Sequence, residues 1–181
     1  MRKPILATLA AGLFVTAAYA MNPMVGGAEM YPEKNIVENA MNSKDHTTLV
    51  AAVKAAGLVE TLQGKGPFTV FAPVNAAFDA LPAGTVDSLL KPENKEKLAT
   101  ILACHVVPAA AFAADVQKMV ADDGGMHKVK TVGGCELTAS VKDGKVMISD
   151  ENGTAATVTI ADVKQSNGVI HVIDKVLLPK S

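Results

Sequence analysis

The sequence predicts an α+β domain in which a helical first half packs on a twisted, mostly antiparallel β-sheet. Residues Val169–Ile173 are β-branched apart from His171, and the turn residues Asn167-Gly168 and the later Pro179 bound this run. Such a run is typical of a strand buried on both faces. Apolar residues at helical spacing fill the first half of the chain, and glycine-containing turn dipeptides recur in the second. We therefore expect earlier segments to cover the last strand on both sides.

The first twenty residues have the pattern of a signal peptide. Arg2 and Lys3 precede an apolar run over Ile5–Ala18, and Ala18-Tyr19-Ala20 supplies the small residues of a cleavage site. The run is shorter than the roughly 20 residues of a membrane-spanning helix. We expect cleavage after Ala20 and a periplasmic or secreted protein without membrane insertion. An uncleaved anchoring helix is the alternative.

Charge and composition exclude several classes of function. Without Arg2 and Lys3, 15 basic residues face 18 acidic ones, a formal charge of −3. A chain with so few basic and aromatic residues is not expected to bind nucleic acid. Apolar residues make up 49% of the chain, which suits one domain with a well-filled core.

Residues 21–35 are predicted to form a flexible N-terminal arm, because they contain glycine and proline and show no hydrophobic periodicity. Met21, Met24 and Met30 are thioethers of the kind that Cu(I) prefers. No Cys or His stands beside them to complete a site, so we favour an arm whose methionines are incidental. We predict no metal and no other cofactor.

The segment from Ile36 to Gly64 is predicted to be helical. One helix has its apolar residues at the spacing of an amphipathic helix, and they are Leu49, Val50, Val53 and Ala56. Asp45 is its expected N-cap and Gly57 its expected C-cap. His46, in the first turn, is expected at the surface.

A buried strand is predicted next, at Pro67–Ala72. Pro73 ends it, and Asn75 is expected to cap the helical turn that follows, which is a structural role. The remaining predicted helices are Gly84–Leu90, Glu93–Ala103 and Ala109–Ala121.

The final third is predicted to be an antiparallel meander. Its expected strands are His127–Val132, Cys135–Val141, Lys145–Ser149 and Thr154–Ile160. The dipeptides between them are those that tight hairpins require, namely Gly133-Gly134, Asp143-Gly144 and Asn152-Gly153. Asp150-Glu151-Asn152 lacks the further oxygen ligands of a calcium loop and is expected to be a turn.

The two cysteines, Cys104 and Cys135, lie in predicted strands of an exported chain. An even cysteine count in an oxidising compartment favours a disulfide between them. The alternative, a pair of buried thiols, stays open from the sequence.

Three segments resemble the fasciclin domain, an extracellular adhesion module. They are TVFAPVNAAF at Thr69–Phe78, CHVVP at Cys104–Pro108 and SNGVIHVIDKVLLP at Ser166–Pro179. The resemblance implies one fasciclin domain, placed at residues 36–180, that binds a cell-surface or matrix partner, either a protein or a polysaccharide. The motif residues that we expect to be structural are Asn75, His105, Asn167, Gly168, His171 and Asp174.

The resemblance also implies candidate partner-binding residues. Fasciclin domains usually have a Tyr-His pair, linked with receptor binding, where this chain has Cys104-His105, so only the histidine carries over. Asp162-Val163 matches an Asp-Ile pair associated with integrin recognition in animal fasciclin domains. The candidates are therefore His105, Asp162 and Val163. The alternatives are a hydrogen-bonded core histidine and an ordinary loop pair.

No enzyme class is favoured. The sequence has no nucleophile elbow, phosphate-binding glycine loop, zinc-protease helix or CxxC pair. His105 and His171 could still meet near Asp174 or Asp79, in which case an open pocket should contain both rings. The second function considered is a periplasmic protein that binds a small molecule or metal, for which a closed pocket with converging polar groups is expected.

Overall fold

A seven-stranded sheet organises the computed structural model, which describes residues 21–180. The strands in chain order are β1 (Met24–Val25), β2 (Ala28–Glu29), β3 (Phe68–Pro73), β4 (Val106–Val107), β5 (Met126–Lys130), β6 (Glu136–Lys142), β7 (Lys145–Ser149), β8 (Ala155–Gln165) and β9 (Gly168–Ile173). β1 and β2 form a separate hairpin. The others lie in the order β4-β3-β9-β8-β7-β6-β5.

Helices occupy most of the first half of the described chain. They are α1 (Ile36–Asn42), α2 (Thr47–Ala56), α3 (Val59–Gln63), α4 (Asn75–Asp79), α5 (Thr85–Leu89), α6 (Lys95–Ala103) and α7 (Ala113–Asp122). Short 3-10 turns precede α2 and α6.

The last strand, β9, lies in the interior of the sheet. It pairs in parallel with β3 and antiparallel with β8, and every other pairing in the sheet is antiparallel. Residues Val169–Ile173 are all buried. The predicted α+β class and the buried final strand are confirmed.

Two apolar clusters lie on opposite faces of this sheet, because successive side chains of a strand point to opposite sides. Ile170 and Val172 of β9 belong to the cluster that α1, α2, α3, α4 and α6 complete. Ile173 belongs to the other cluster, which Val116 and Val120 of α7 cover. The helical first half therefore packs on one face of the sheet and α7 packs on the other.

The second half is the meander that the turn dipeptides predicted. Asp143 and Gly144 between β6 and β7 have φ angles of 52° and 76°. Two positive φ values in a two-residue loop are the mark of a type I′ hairpin turn, for which Asp-Gly is well suited. β8 is longer than predicted and continues past Ile160 to Gln165 through two register shifts.

The prediction of a flexible arm at residues 21–35 was wrong for the β1–β2 hairpin. Val25 and Met30 are buried, and the Lys44 N–H donates to the carbonyl of Gly26. Gly26 has a φ of 58°, and a Cβ there would lie 2.4 Å from the Ser43 hydroxyl oxygen. Residues that follow α1 hold the hairpin in place. The sequence of the hairpin itself therefore shows no hydrophobic periodicity from which it could be predicted.

The predicted signal peptide covers residues 1–20, which lie outside the described residues. Between residues 21 and 180, no helix combines the length and the apolar character needed to cross a membrane.

Candidate functional site

The turn between β8 and β9 is fastened to the helical layer by Asn167. Its buried side chain accepts a hydrogen bond from the Ile36 N–H at 3.1 Å and donates to the carbonyls of Leu62 and Gly64 at 2.7 and 2.8 Å. These contacts satisfy the free N–H at the start of α1 and the free carbonyls at the end of α3, groups that helix termini leave without intrahelical partners. Asn167 therefore joins three segments with one side chain.

Gly168 allows β9 and β3 to lie side by side at this turn. A Cβ at Gly168 would lie 2.0 Å from the Phe68 carbonyl oxygen, and one at Gly66 would lie 2.2 Å from the Asn167 carbonyl oxygen. Real Cβ atoms do not approach backbone so closely, so both positions require glycine. The Asn167-Gly168 pair thus forms a turn and also brings the backbone of β9 into close contact with that of β3.

Asn75 caps a neighbouring helix instead of its own. Its side-chain oxygen accepts from the Thr48 N–H at 3.0 Å and from the Thr47 hydroxyl at 3.2 Å, and its amide donates to the Lys44 carbonyl at 2.9 Å. The prediction that Asn75 is the N-cap of the following helical turn was wrong, because Val74 holds that position. The contacts instead tie α4 to the start of α2.

His46 was predicted at the surface and is buried. The residue precedes α2, and its Nε2–H donates to the Ala72 carbonyl at 3.4 Å, so its Nδ1 accepts from the Ser43 hydroxyl at 2.8 Å. Burial is the largest cause of a lowered pKa for His46. The ring is thus a neutral link between β3 and the turn after α1.

His105, just before β4, holds the chain segment that follows β9. Its Nδ1 lies 2.8 Å from the Ile101 carbonyl oxygen, which can only accept, and its Nε2 accepts from the Leu177 N–H at 2.9 Å. These partners fix the neutral tautomer with hydrogen on Nδ1. Burial, the dominant cause, lowers the pKa of His105 to about 4, although the Ile101 carbonyl and the Asp150 carboxylate oppose the shift.

Asp150 holds the same C-terminal segment and was not singled out as functional by the sequence. Its Oδ1 accepts from the N–H groups of Asn152 and Thr154, and its Oδ2 accepts from the Leu178 N–H at 2.9 Å. The Asp-x-Asn-Gly pattern predicts only the local part of this arrangement, a turn that the Asp side chain stabilises. Together His105 and Asp150 hold two adjacent backbone amides.

His171, on β9, positions the neighbouring part of β8. Its Nε2–H donates to the Ala111 carbonyl at 2.8 Å, and its Nδ1 accepts from the Asp162 N–H at 3.3 Å. The ring stacks on Phe71 with a centroid separation of 5.8 Å. Burial is the main cause of a lowered pKa for His171, and the neutral ring bridges β8 to the segment before α7.

Asp162 lies at an irregularity of β8 rather than in a loop. Its φ is 59°, a conformation that Asp tolerates better than most residues. Its Oδ1 accepts from the Ala113 N–H at 2.7 Å, so the carboxylate caps the N-terminus of α7, where a negative charge is favourable. Asp162 is exposed, and within residues 21–180 its Oδ2 has no hydrogen-bond partner.

Two of the three candidate partner-binding residues have no accessible side chain. Val163 is 0% exposed and belongs to the helix-covered cluster, and His105 is 2% exposed with both ring nitrogens bonded to backbone. The expectation that these side chains contact a partner conflicts with their burial. Asp162 and Val163 are successive residues of β8, so one side chain points outward and the next inward. Asp162 alone remains available.

Asp174 follows β9 and bonds to β8. Its Oδ1 accepts from the Thr157 N–H at 2.7 Å, and its own N–H donates to the Thr157 carbonyl at 3.3 Å. The contact extends the pairing of the two strands beyond the last regular position.

Cys104 and Cys135 form the predicted disulfide, with their Cα atoms 5.3 Å apart. It joins the end of α6 to the start of β6, and both cysteines are buried. The neighbouring Gly133 has no room for a side chain, since a Cβ would lie 2.8 Å from the Cys104 backbone nitrogen. The turn before β6 is therefore pressed directly against the end of α6.

The geometry disfavours a catalytic histidine pair. Each of His105 and His171 bonds to backbone through both ring nitrogens, and the two rings have different partners. Neither ring presents a nitrogen to a substrate. In the part of the chain that the structure describes, no three His, Cys, Asp or Glu side chains are grouped as a metal site.

The predicted closed pocket for a small molecule is not found between the helices and the sheet. The apolar cavity there, lined by residues such as Val53, Val70 and Leu102, measures about 40 Å³. Ligand sites usually measure about 300–1,000 Å³. The Cu(I) alternative required Met21, Met24 and Met30 to converge, whereas Met30 is 2% exposed and the other two lie open to solvent.

The comparisons with known proteins agree with this architecture. The profile of the fasciclin domain matches residues 44–179. A solved FAS1 domain pair from the insect cell adhesion molecule fasciclin I superposes with a TM-score of 0.73 at 19% identity, over 81% of this chain and 51% of that one. The fold is therefore that of a FAS1 domain.

Sequence relatives come from bacteria and animals. Protein sll1483 of Synechocystis is 57% identical over 144 residues, which are 80% of this chain and 73% of that protein. The cell surface glycolipoprotein MPT83 of Mycobacterium tuberculosis is 31% identical over 90% of this chain and 63% of its own length. Transforming growth factor-beta-induced protein ig-h3 of Sus scrofa is 35% identical over 82% of this chain, but this match spans only 20% of that protein.

The disulfide and the cell-surface relative indicate an extracytoplasmic location, since disulfides persist in oxidising compartments. The three motifs, the sheet built around β9 and the match over residues 44–179 lead to one conclusion: the chain belongs to the fasciclin domain family.

Proposed function

We propose that this protein is a non-enzymatic adhesion module, periplasmic or secreted, that binds a surface protein or polysaccharide. The observation that carries the proposal is the fasciclin match over residues 44–179, which takes in almost all of the seven-stranded sheet and its helices. The family is one of adhesion-type modules, and the relatives include a cell surface glycolipoprotein.

The internal contacts support a surface function. His46, His105, His171 and Asp150 are buried, and their side chains bond to other parts of the same chain. Their hydrogen bonds stabilise the fold, and within residues 21–180 every buried side-chain nitrogen and oxygen atom has a hydrogen-bond partner. Asp162 combines an exposed carboxylate with a fixed backbone position, and one of its oxygens is available to a basic group or a cation of a partner.

The test is affinity capture from envelope and culture fractions of the producing organism, with Asp162→Asn compared with the wild-type protein. Asparagine keeps an oxygen for the Ala113 N–H and tolerates the positive φ, so the variant removes the charge and preserves the cap. We expect the variant to retain at least fivefold less of the captured partner. Replacing Val163 as well would confuse the result, because a cavity in the core destabilises the fold.

Asp143→Asn is the matched control. Asp143 is exposed, has a φ of 52° and lies in the β6–β7 turn, so its substitution makes the same charge change at a similar backbone conformation. The control should capture as much as wild type. Equal capture by all three proteins would remove Asp162 from the binding surface, and absence of any captured partner would contradict the adhesion function.

A further inference from the structure

An open groove of about 340 Å³ lies where the segment before α7 approaches the β8–β9 turn. Lys65, Pro67, Phe112, Lys164 and Ser166 line it, together with the start of β9. All of these side chains are exposed except Phe112, which is half-buried. The Asn167-Gly168 turn supplies backbone to the groove, and Lys65, Lys164 and Ser166 supply its polar side chains.

Two cations of this groove have no acidic partner. Within residues 21–180, neither Lys65 nor Lys164 lies in a salt bridge, and the Lys164 ammonium is 5.5 Å from the centre of the Phe112 ring. The carboxylates of the adjoining segments, Asp162 and Asp115, accept from the N–H groups that begin α7. The residues that line the groove carry two positive charges and no negative one, on a chain whose formal net charge is −1.

The combination of two ammonium groups with an aromatic ring suits a carboxylated sugar. Lysine ammonium groups form charge-assisted hydrogen bonds with carboxylates. Phe112 lies in the groove lining and is half-buried, so the exposed part of its ring can contact the C–H groups of a sugar, and the Ser166 hydroxyl can exchange hydrogen bonds with sugar hydroxyls. Each group thus matches one chemical feature of a uronic acid.

The groove fits a glycan better than an acidic peptide. Extended peptides often bind by pairing with a free strand edge, but β9 is already paired on both sides, with β3 and β8. The volume is at the small end of ligand sites, about 300–1,000 Å³, which suits one or two sugar rings and not a protein surface.

We propose that this groove binds a carboxylated polysaccharide through Lys65, Lys164 and Phe112. The inference rests on the proposed adhesion function and assigns a carboxylated glycan to the lysine-lined groove, a contact separate from that of the Asp162 carboxylate, which is not part of the groove lining. The lysines supply the contact with the carboxylates and the phenylalanine ring supplies the contact with the sugar face.

The test is a calorimetric titration of the full mature protein with a galacturonic acid hexamer at low salt. Lys65→Gln combined with Lys164→Gln should weaken binding at least tenfold. The control is Lys142→Gln combined with Lys145→Gln, which removes the same charge from the exposed β6–β7 hairpin and should leave affinity unchanged. A neutral galactose hexamer should bind at least tenfold more weakly than the acidic one.

Three results would overturn the groove assignment. The first is an equal loss of affinity in both double variants, which would indicate diffuse electrostatic attraction. The second is a glutamate hexamer that binds as tightly as the galacturonic acid hexamer, which would indicate a peptide site. The third is no binding of the galacturonic acid hexamer. The titration reports on the groove alone and the envelope capture on adhesion in general. Failure of one is therefore distinguishable from failure of the other.

Discussion

Asn167 is buried at the β8–β9 turn, and the groups that it binds in Ile36, Leu62 and Gly64 lie more than 100 residues earlier in the chain. His105 reaches across 72 residues to the Leu177 N–H in the same manner. A side chain that satisfies backbone groups at helix ends removes the cost of burying those groups unpaired. At this scale the motif residues act as links between distant segments.

Substitution of Asn167 by alanine should destabilise the domain by about 2–4 kcal/mol, because three buried hydrogen bonds are lost and their backbone partners remain buried. Urea denaturation followed by circular dichroism measures this change. Asn94→Ala is the control, since Asn94 is half-buried and within residues 21–180 its side chain bonds only to the nearby Ser88, and it should cost less than about 1 kcal/mol. Similar losses in the two variants would contradict the linking role of Asn167.

Sequence reasoning located the Asn167-Gly168 turn but not the partners of the side chains. The local sequence predicts Asn75 as a cap for the helix that follows it, whereas its partners Lys44 and Thr48 lie 31 and 27 residues away. The position of His46 in the first turn of a helix predicts exposure, because the local sequence does not reveal that β3 covers the ring. Hydrogen-bond partners set by tertiary packing leave no periodic or local trace in the sequence.

The sequence predicts the positions of the strands and helices more accurately than the contacts of the side chains. β7 has the predicted bounds of Lys145–Ser149, and each turn dipeptide of the meander separates two strands. These features depend on local periodicity and turn chemistry, which a sequence displays. The β8 irregularity at Asp162 depends on its register with β9, and the β1–β2 hairpin depends on contacts with Ser43 and Lys44.

The disulfide is the covalent link between the helical half and the meander. Replacing both cysteines by serine should lower the unfolding free energy by about 4 kcal/mol in the chain-entropy description, for a sequence separation of 31 residues. The burial of both positions adds a cost for the hydroxyl groups. Equilibrium denaturation of the double variant measures the loss.

Two further samples sharpen that experiment. Wild-type protein denatured under reducing conditions separates the loss of the covalent link from the effect of the new hydroxyls. The Cys104→Ala, Cys135→Ala variant removes the link without adding polar groups. An unfolding free energy within about 1 kcal/mol of wild type in both samples would contradict a stabilising disulfide.

For the molecule as a whole, the three buried histidines predict sensitivity to acid. The pKa values of His46, His105 and His171 are lowered in the folded protein, chiefly by burial. The unfolded chain therefore takes up protons below about pH 6.5 that the folded chain does not, and stability falls as pH decreases below that value. For His105 the loss continues to about pH 4.

Urea denaturation at pH 7.5, 6.0 and 5.0 measures this dependence. His105 alone should lower the unfolding free energy by about 2 kcal/mol at pH 5.0, since one pKa unit corresponds to about 1.4 kcal/mol. A parallel series in high salt is the control, because salt screens exposed pairs such as Lys118–Asp122 and acts much less on buried rings. An unfolding free energy that stays constant from pH 7.5 to 5.0 would be the opposite result.

Within residues 21–180 the buried side-chain nitrogen and oxygen atoms all have hydrogen-bond partners, so the proposed adhesion is best tested at the surface of the domain. The most direct measurement is the attachment of cells of the producing organism to surfaces coated with the mature protein, counted after washing under flow. The adhesion account predicts strong retention on the wild-type coating, inhibition by soluble wild-type protein and reduced retention on Asp162→Asn, with Asp143→Asn behaving as wild type. Retention no greater than on a coating of an unrelated protein would contradict it.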